Sequence, residues 1–491
     1  MAKPVGKIID NIVKTGEWPR QWKLEHVVPI GKVPVPESEE DLRPISLTAF
    51  FSKVTEHFVV MWLMEIIKDK IDFRQYGGLK GNSITHYLIE FINFILSCQD
   101  SSDQTAILAC MVDFSKAFNR QNHNLLVTKL SDMGVPGWLL KLVIAFLSDR
   151  RMLVKYKGKE SSVKALPGGG PQGTLLGLLL FIVLINDAGF EGQENNTGEI
   201  ITSKRNMKVA NELHLKYVDD LTLAEAIDLK KNVISLLDDE RPQPDMYHAR
   251  TGHVLPLSKS RVQQQLTKTE EYARANEMKI NLKKTKVIVF NPCTSIDIMP
   301  ELSLGDSEIE VVDEIRLLGL IIRSDLKWIA NTDHMVKKAN KRLWILRRLK
   351  FLGAQEDDLV DIYAKQIRSV LELAVPVWHS GITLSEQVDI ERIQKSAAHI
   401  ILGDHYLTYK DALITLGLES LKYRREKLCL KFGLKAENHS KFQKWFKPAV
   451  YRKNTRQDKV KYREVLAFHT RFRKSPLTYL TSMLNEFYSI K

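Results

Sequence analysis

The stretch LHLKYVDDLTLAE, residues 213–225, constrains the fold of this chain more than any other feature. Apolar residues alternate on both sides of an adjacent acidic pair, with Leu213, Leu215 and Tyr217 before it and Leu221 and Leu223 after it. A period of two over short runs predicts two strands joined by a tight hairpin, with Asp219 and Asp220 at or beside its turn. An acidic pair in a turn is ordinary by itself, since Asp satisfies turn backbone with its own side chain. A second run changes the reading. ILACMVDF, residues 107–114, is almost continuously apolar and ends in Asp113, which suits a central buried strand. The helix-like segment SKAFNRQNHNLLVTKL follows, so Asp113 should project from the C-terminal end of a sheet.

If the hairpin pairs alongside that strand, Asp113, Asp219 and Asp220 converge. Three carboxylates so placed raise one another's pKa unless divalent cations neutralise them. Oxygen donors without His or Cys suit Mg2+ or Mn2+ rather than zinc. Two such ions about 3.5–4 Å apart serve in-line phosphoryl transfer, one activating the attacking hydroxyl and one stabilising the leaving oxygen. The expected chemistry is nucleotidyl transfer.

Bulk properties agree. At 491 residues the chain exceeds the size at which one core keeps growing, so two or three subdomains are expected. Its 72 Lys and Arg against 59 Asp and Glu give a net charge of +13, which favours a polyanionic partner. Cys98, Cys110, Cys293 and Cys429 are scattered, with no CxxC or Cys/His cluster, pointing to a reducing compartment and away from zinc. The N-terminal stretch has no apolar signal core. The longest apolar run, LLGLLLFIVLI at 175–185, is too short to span a bilayer and reads as a buried helix. A soluble chain acting in nucleus or cytoplasm, with no membrane partner, is expected.

Along the chain, residues 1 to about 100 mix helical periodicity with a short strand, EHVVPIGKV, and a Pro-containing loop, PVPESEEDLRPIS. Strands and helices alternate to about 325, after which the pattern turns helical. In HMVKKANKRLWILRRLKFLG, Met335, Ala339, Leu343, Leu346 and Leu349 share a face and Gly353 is a C-cap. Residues 441–475 hold twelve Lys and Arg against two acids, interleaved with Trp445, Phe446, Tyr451, Tyr462, Phe468 and Phe472. Two readings stay open for this tail: base stacking on single-stranded nucleic acid, or ordinary packing aromatics under a solvated basic face. EGQENNTGE and DDERPQPDMYHARTGH read as surface loops.

The boxes VDFSKAFNRQNH, GGGPQGTLLG, YVDD, NLKKTKVIVF and IRLLGLIIRSDLKW, in that order, resemble the palm motifs of reverse transcriptases, most closely those of LINE-type retrotransposons without long terminal repeats. GEWPRQWKLEHVVPIGK and LRPISLTAFFSKVTEHFV resemble the family's fingers motifs, and VDIERIQKSAAHIILG its C-terminal region, so the resemblance covers roughly residues 5–435. It implies an α+β right-hand polymerase with fingers over 1–105, an antiparallel-sheet palm over 106–325 with the aspartates at its edge, a helical thumb and C-terminal region over 326–440, and a basic, aromatic tail over 441–491. The implied reaction is extension of a DNA 3' end with dNTPs on an RNA template.

The resemblance further implies that Asp113 and Asp219 hold both metal ions and that Asp220 completes the cluster. Lys32 and Arg43 would contact the incoming triphosphate, Gln172 and Gly173 would shape the nucleotide and template pocket beside Tyr217, and Lys284 would be a candidate acid near the phosphates. Phe118, five residues after the first aspartate, would lie under the sugar and exclude a ribose 2'-OH. Charge neutralisation and close backbone approach give the cations and glycines a rationale of their own. Two departures stand out: Asn119 replaces the acid that usually ends the first box, and three glycines precede PQG. The chain is also expected to lack the endonuclease domain that commonly precedes such polymerases. A decayed remnant that only binds nucleic acid, and a maturase-like role on structured RNA, are the alternatives.

Overall fold

The computed structural model describes residues 2–33, 35–101, 105–115, 121–166, 168–188, 211–229, 260–292, 301–449, 460–465, 467 and 469–489. Phe118 and Asn119, Cys293, both expected surface loops, Tyr451 and Phe468 lie outside these residues.

The N-terminal half opens with helix α1 (Ala2–Thr15), stopped at Gly16, whose φ of +69° suits a C-terminal cap. Strands β1 (Leu24–Gly31) and β2 (Leu42–Leu47) follow and pair antiparallel, Val28 opposite Ile45 and Pro29 opposite Pro44. The end of the expected loop, LRPISL, is thus a strand. It lies on the outside of its sheet, where a proline without an N–H disrupts little. Helices α2 (Phe50–Ile67) and α3 (Ile84–Ser101) lead to β3 (Thr105–Val112), and α4 (His123–Asp132) and α5 (Gly137–Leu147) come next.

Strands β4 (Arg151–Tyr156), β5 (Lys159–Glu160) and β6 (Lys164–Ala165) return to the first sheet, β4 running parallel to β1. The first sheet therefore has the order β2-β1-β4-β5 with β6 also on β4, and it straddles the expected boundary at residue 105. The joint is locked by Arg150, whose Nε donates to Glu25 Oε1 at 2.5 Å, each side chain being 2% exposed. No local pattern could have joined segments over a hundred residues apart.

Helix α6 (Leu175–Leu184) begins at Thr174, whose hydroxyl accepts the Gly177 N–H at 3.1 Å. It is the LLGLLLFIVLI run, buried against α2 and α4 in a core that α5 shares. Among the described residues, no helix is long and apolar enough to cross a membrane.

The second sheet carries the acidic boxes. Strands β7 (Glu212–Tyr217), β8 (Asp220–Asp228) and β9 (Lys286–Phe290) join β3 in the antiparallel order β7-β8-β3-β9. All eight residues of β3 are buried because both faces are covered. Ile107, Ala109 and Met111 point into the core shared with α3 and the C-terminal helices. Ala106, Leu108, Cys110 and Val112 pack instead with Val262 and Leu266 of the helix Arg261–Ala275. A doubly covered strand explains the uninterrupted apolar run.

The C-terminal half is helical. In the helix Ile329–Phe351, Met335, Ala339, Leu343 and Leu346 are buried, Leu349 partly so, and Gly353 follows at φ +83°, as the sequence predicts. It packs along the helix Leu384–Leu402, which starts with a capping box of Thr383 and Glu386. For the tail, packing wins over base stacking at four positions. Trp445, Phe446, Tyr462 and Phe472 are buried in the main core, and Trp445 Nε1 donates to Glu90 Oε1 at 2.9 Å.

One buried cation in this half is poorly satisfied. Arg425 is 1% exposed, its Nε donates to His379 Nδ1 at 3.3 Å, and among the described residues both terminal nitrogens are buried without a hydrogen-bond partner, while Glu391, Glu426 and Glu372 act on it only through space. A buried guanidinium with unmet N–H donors costs stability. Arg425→Met is therefore expected to unfold at the same temperature as the native chain or higher, as differential scanning calorimetry would read; a clear drop would mean that the guanidinium has a partner in solution.

Candidate active site

The acidic box is a two-residue hairpin turn. Tyr217 pairs with Asp220, so Val218 and Asp219 form the loop. Val218 has φ +58°, at the first central position where type II′ hairpins place glycine. A β-branched residue held there stores strain on the order of 1–3 kcal/mol. Asp220 opens β8, and because Val112 pairs with Leu221, Asp113 emerges from β3 directly beside it. The aspartates thus sit at the ends of the two central strands of the sheet, rather than on an outer strand.

Their electrostatics follow from that register. Burial, then Asp219 and Asp113, push the Asp220 carboxyl up to about 7. Burial, with Asp113 adding to it, also raises Asp219, while Lys284 and Arg43 oppose the rise. Asp113 is fixed through its backbone: its N–H donates to Thr285 Oγ1 at 3.3 Å and its carbonyl accepts from the Asn281 N–H at 2.7 Å. The 281–285 turn that makes these bonds carries Lys284, whose Nζ lies 3.5 Å from Asp113 Oδ2.

Cations from the first sheet complete the ring. Lys32 N–H donates to the Asp41 carbonyl at 2.7 Å just beyond β1, and Arg43 on β2 faces Ile30. Burial lowers the Lys32 pKa, and Lys284 and Arg43 lower it further, while Asp113 raises it. Lys32, Arg43, Lys284 and the aspartates therefore share one field, although they come from four separate chain segments. The glycine-rich loop lies beside β2: the Ser46 N–H donates to the Gln172 carbonyl at 2.9 Å, and Gly173 adopts φ +103°. Tyr217 is half-buried, its ring edge-on to Tyr87 at 6.1 Å. Lys32, Arg43 and Lys284 act on the aspartates, Tyr217 precedes the acidic pair in the hairpin, and Gln172 and Gly173 lie against β2; Phe118 falls outside the described residues.

Among the described residues, no three His, Cys, Asp or Glu side chains stand as a preformed cage for an ion. The chemistry of the donor set nevertheless fits a hard divalent cation. All donors are carboxylate oxygens, burial and then their mutual repulsion raise two of them, and Asp113 Oδ2 is buried without a hydrogen bond. Added positive charge at this point would relieve the repulsion and satisfy Asp113 Oδ2.

Residues 33–322, well over half of the chain, match the family described as reverse transcriptase (RNA-dependent DNA polymerase). The chain belongs to the reverse transcriptase family. It is 30% identical over 183 residues to the probable RNA-directed DNA polymerase from transposon BS of Drosophila melanogaster, covering 37% of this chain and 20% of that relative. It is 23% identical over 380 residues to the RNA-directed DNA polymerase from mobile element jockey of Drosophila funebris, covering 76% of this chain and 37% of the relative. The matches thus span a fifth to a little over a third of these relatives' lengths. An apo telomerase from Candida tropicalis superposes at a TM-score of 0.38 and 11% identity, covering 86% of this chain and 67% of that one, too slight a likeness to argue from.

In this member of the reverse transcriptase family, the residues that hold the acidic turn lie outside the motif boxes. Gln75 and Gly77, in FRQYGG, contact it directly, and Asp72 pairs with Lys216. Two signals were available: a Gly-Gly pair ahead of a helix, and a lysine inside an apolar strand.

Proposed function

We propose that this chain is an RNA-directed DNA polymerase of a LINE-type retrotransposon, extending a DNA 3' end with dNTPs on an RNA template. The observation that carries the reading is the convergence of Asp113, Asp219 and Asp220 opposite Lys32, Arg43 and Lys284. Asp113 and Asp219 would hold two Mg2+ ions, with Mn2+ as a substitute, and Asp220 would complete the cluster. When bound, such ions supply activation of the primer hydroxyl and charge stabilisation at the leaving pyrophosphate. Lys32 and Arg43 neutralise the triphosphate, Gln172 and Gly173 shape the pocket floor beside Tyr217, and Lys284 offers a proton near the phosphates. Positioning and electrostatics carry the rate. In this reading residues 1–105 act as fingers, 106–325 as palm, 326–440 as thumb and C-terminal helices, and 441–491 as a basic tail. The chain would act in the nucleus or cytoplasm.

Primer extension on poly(rA)/oligo(dT) with Mg2+ or Mn2+, supplying dTTP or UTP, tests this. Incorporation of dTTP but not UTP is expected; binding of the duplex without incorporation of either would replace the enzyme by a nucleic-acid-binding remnant. Phe118→Ala is expected to admit UTP, raising its use relative to dTTP by about 10- to 100-fold, a change of roughly 1–3 kcal/mol in discrimination. An unaltered UTP:dTTP ratio in that variant would remove Phe118 from the sugar-selecting role.

A further inference from the structure

We propose that Gln75 is a positioning residue that clamps the acidic hairpin in its strained form and thereby sets the orientation of Asp219 and Asp220; the inference rests on the polymerase reading of that site.

The hairpin turn is held from outside its own sheet. Gln75 is 1% exposed, and its Oε1 accepts two N–H groups, from Val218 at 3.0 Å and from Gly77 at 2.9 Å. The first of these is the amide of the residue at positive φ, directly before Asp219. Val218 prefers other backbone conformations, so the turn persists only because its surroundings determine it.

The clamp is itself anchored on both sides. Gln75 lies parallel to Lys216 on the open side of β7, with the Lys216 N–H donating to the Arg74 carbonyl at 2.9 Å and the Tyr76 N–H to the Lys216 carbonyl at 2.8 Å. Gly77 presses on the turn so closely that a Cβ there would stand 2.6 Å from the Val218 nitrogen. At Gly78, with φ +71°, a Cβ would stand 2.6 Å from Ile182 of α6. Residues 75–78 thus form a wedge between the acidic turn and the helix that follows the glycine-rich loop. From the C-terminal region, Lys441 Nζ reaches the Gln75 carbonyl at 3.3 Å and lies 3.6 Å from the centre of the Tyr76 ring. Gln75 acts on the aspartates through the Val218 amide.

The test is Gln75→Met, which keeps length and bulk but removes the acceptor, compared with the same change combined with Val218→Gly. Glycine adopts positive φ without steric cost, so it lessens the turn's need for a clamp. In primer extension, Gln75→Met is expected to lower kcat by about 10- to 100-fold. KM for dTTP should stay within about twofold, since ground-state binding is not what the clamp controls. The added Val218→Gly should recover most of the lost rate. An unchanged kcat overturns the proposal, and so does a fall that Val218→Gly does not relieve, since that marks general loosening of the fold.

If the native chain incorporates no nucleotide, the polymerase reading fails by itself and the clamp is judged by amide hydrogen exchange over residues 215–222. Exchange there should be about tenfold faster in Gln75→Met than in the native chain. Equal exchange would overturn the clamp.

Discussion

Asp219→Asn is expected to reduce dNTP incorporation by on the order of a thousandfold while leaving the chain folded and at least as heat-stable as before. The loss follows from removing one of three carboxylates proposed to bring the metal ions to the reacting phosphate, an electrostatic contribution that water in the same place does not supply. The retained stability follows from the cluster's cost. Asp219 and Asp220 are both pushed up by burial and by their acidic neighbours, so a neutral amide at 219 removes repulsion from the fold. Single-turnover primer extension and a thermal melt without divalent ions read the two effects. Incorporation within about tenfold of the native rate would take Asp219 out of the metal-holding role. A variant that fails to fold would mean that the carboxylate supports structure instead.

Lys216→Met should have the opposite profile, destabilising the chain by about 1–3 kcal/mol, because it leaves the buried Asp72 carboxylate with Arg74 as its remaining cation, at 2.9 Å. The pair stands at 2.8 Å with 2% and 6% of the side chains exposed. Lys216 Nζ also donates to the carbonyls of Ile185 at 3.2 Å and Asn186 at 2.8 Å, tying β7 to the end of α6. Chemical denaturation measures the loss, and the double change with Asp72→Leu should recover part of it, because the buried carboxylate is then gone, although Arg74 loses its ion pair with Asp72.

The pH dependence of stability provides an independent reading. Burial pushes Lys216 down to about 8 from its ordinary 10.5, so between these values the unfolded chain binds a proton that the folded chain has released. Stability from this group therefore rises with pH across that window, and the rise should be missing in Lys216→Met. A variant that keeps both the native stability and the native pH slope would show that the ammonium is solvated rather than paired.

The acidic hairpin, the buried strand ending in Asp113, the buried run at 175–185 and the long C-terminal helix were legible because each is a local pattern: alternation, continuity or a 3.6-residue period. LRPISL reads as loop in the sequence because three prolines and a run of acids in PVPESEEDLRPIS outweigh a short edge strand in any local window. The four tail aromatics could not be assigned from sequence, since a ring that stacks on a base and a ring that packs in a core look alike.

The sequence by itself determined the acidic boxes, their order and the chemistry their residue types allow, because carboxylate spacing and strand periodicity are written within about ten residues. Only the tertiary structure decided which segments face those boxes. It joined β4 to β1 across more than a hundred residues, set Arg43 and Lys32 toward the aspartates, and placed Gln75 on the Val218 amide. The physical reason is that these contacts depend on how separately patterned sheets and helices bury their remaining apolar faces against one another, and that packing has no signature in any single segment.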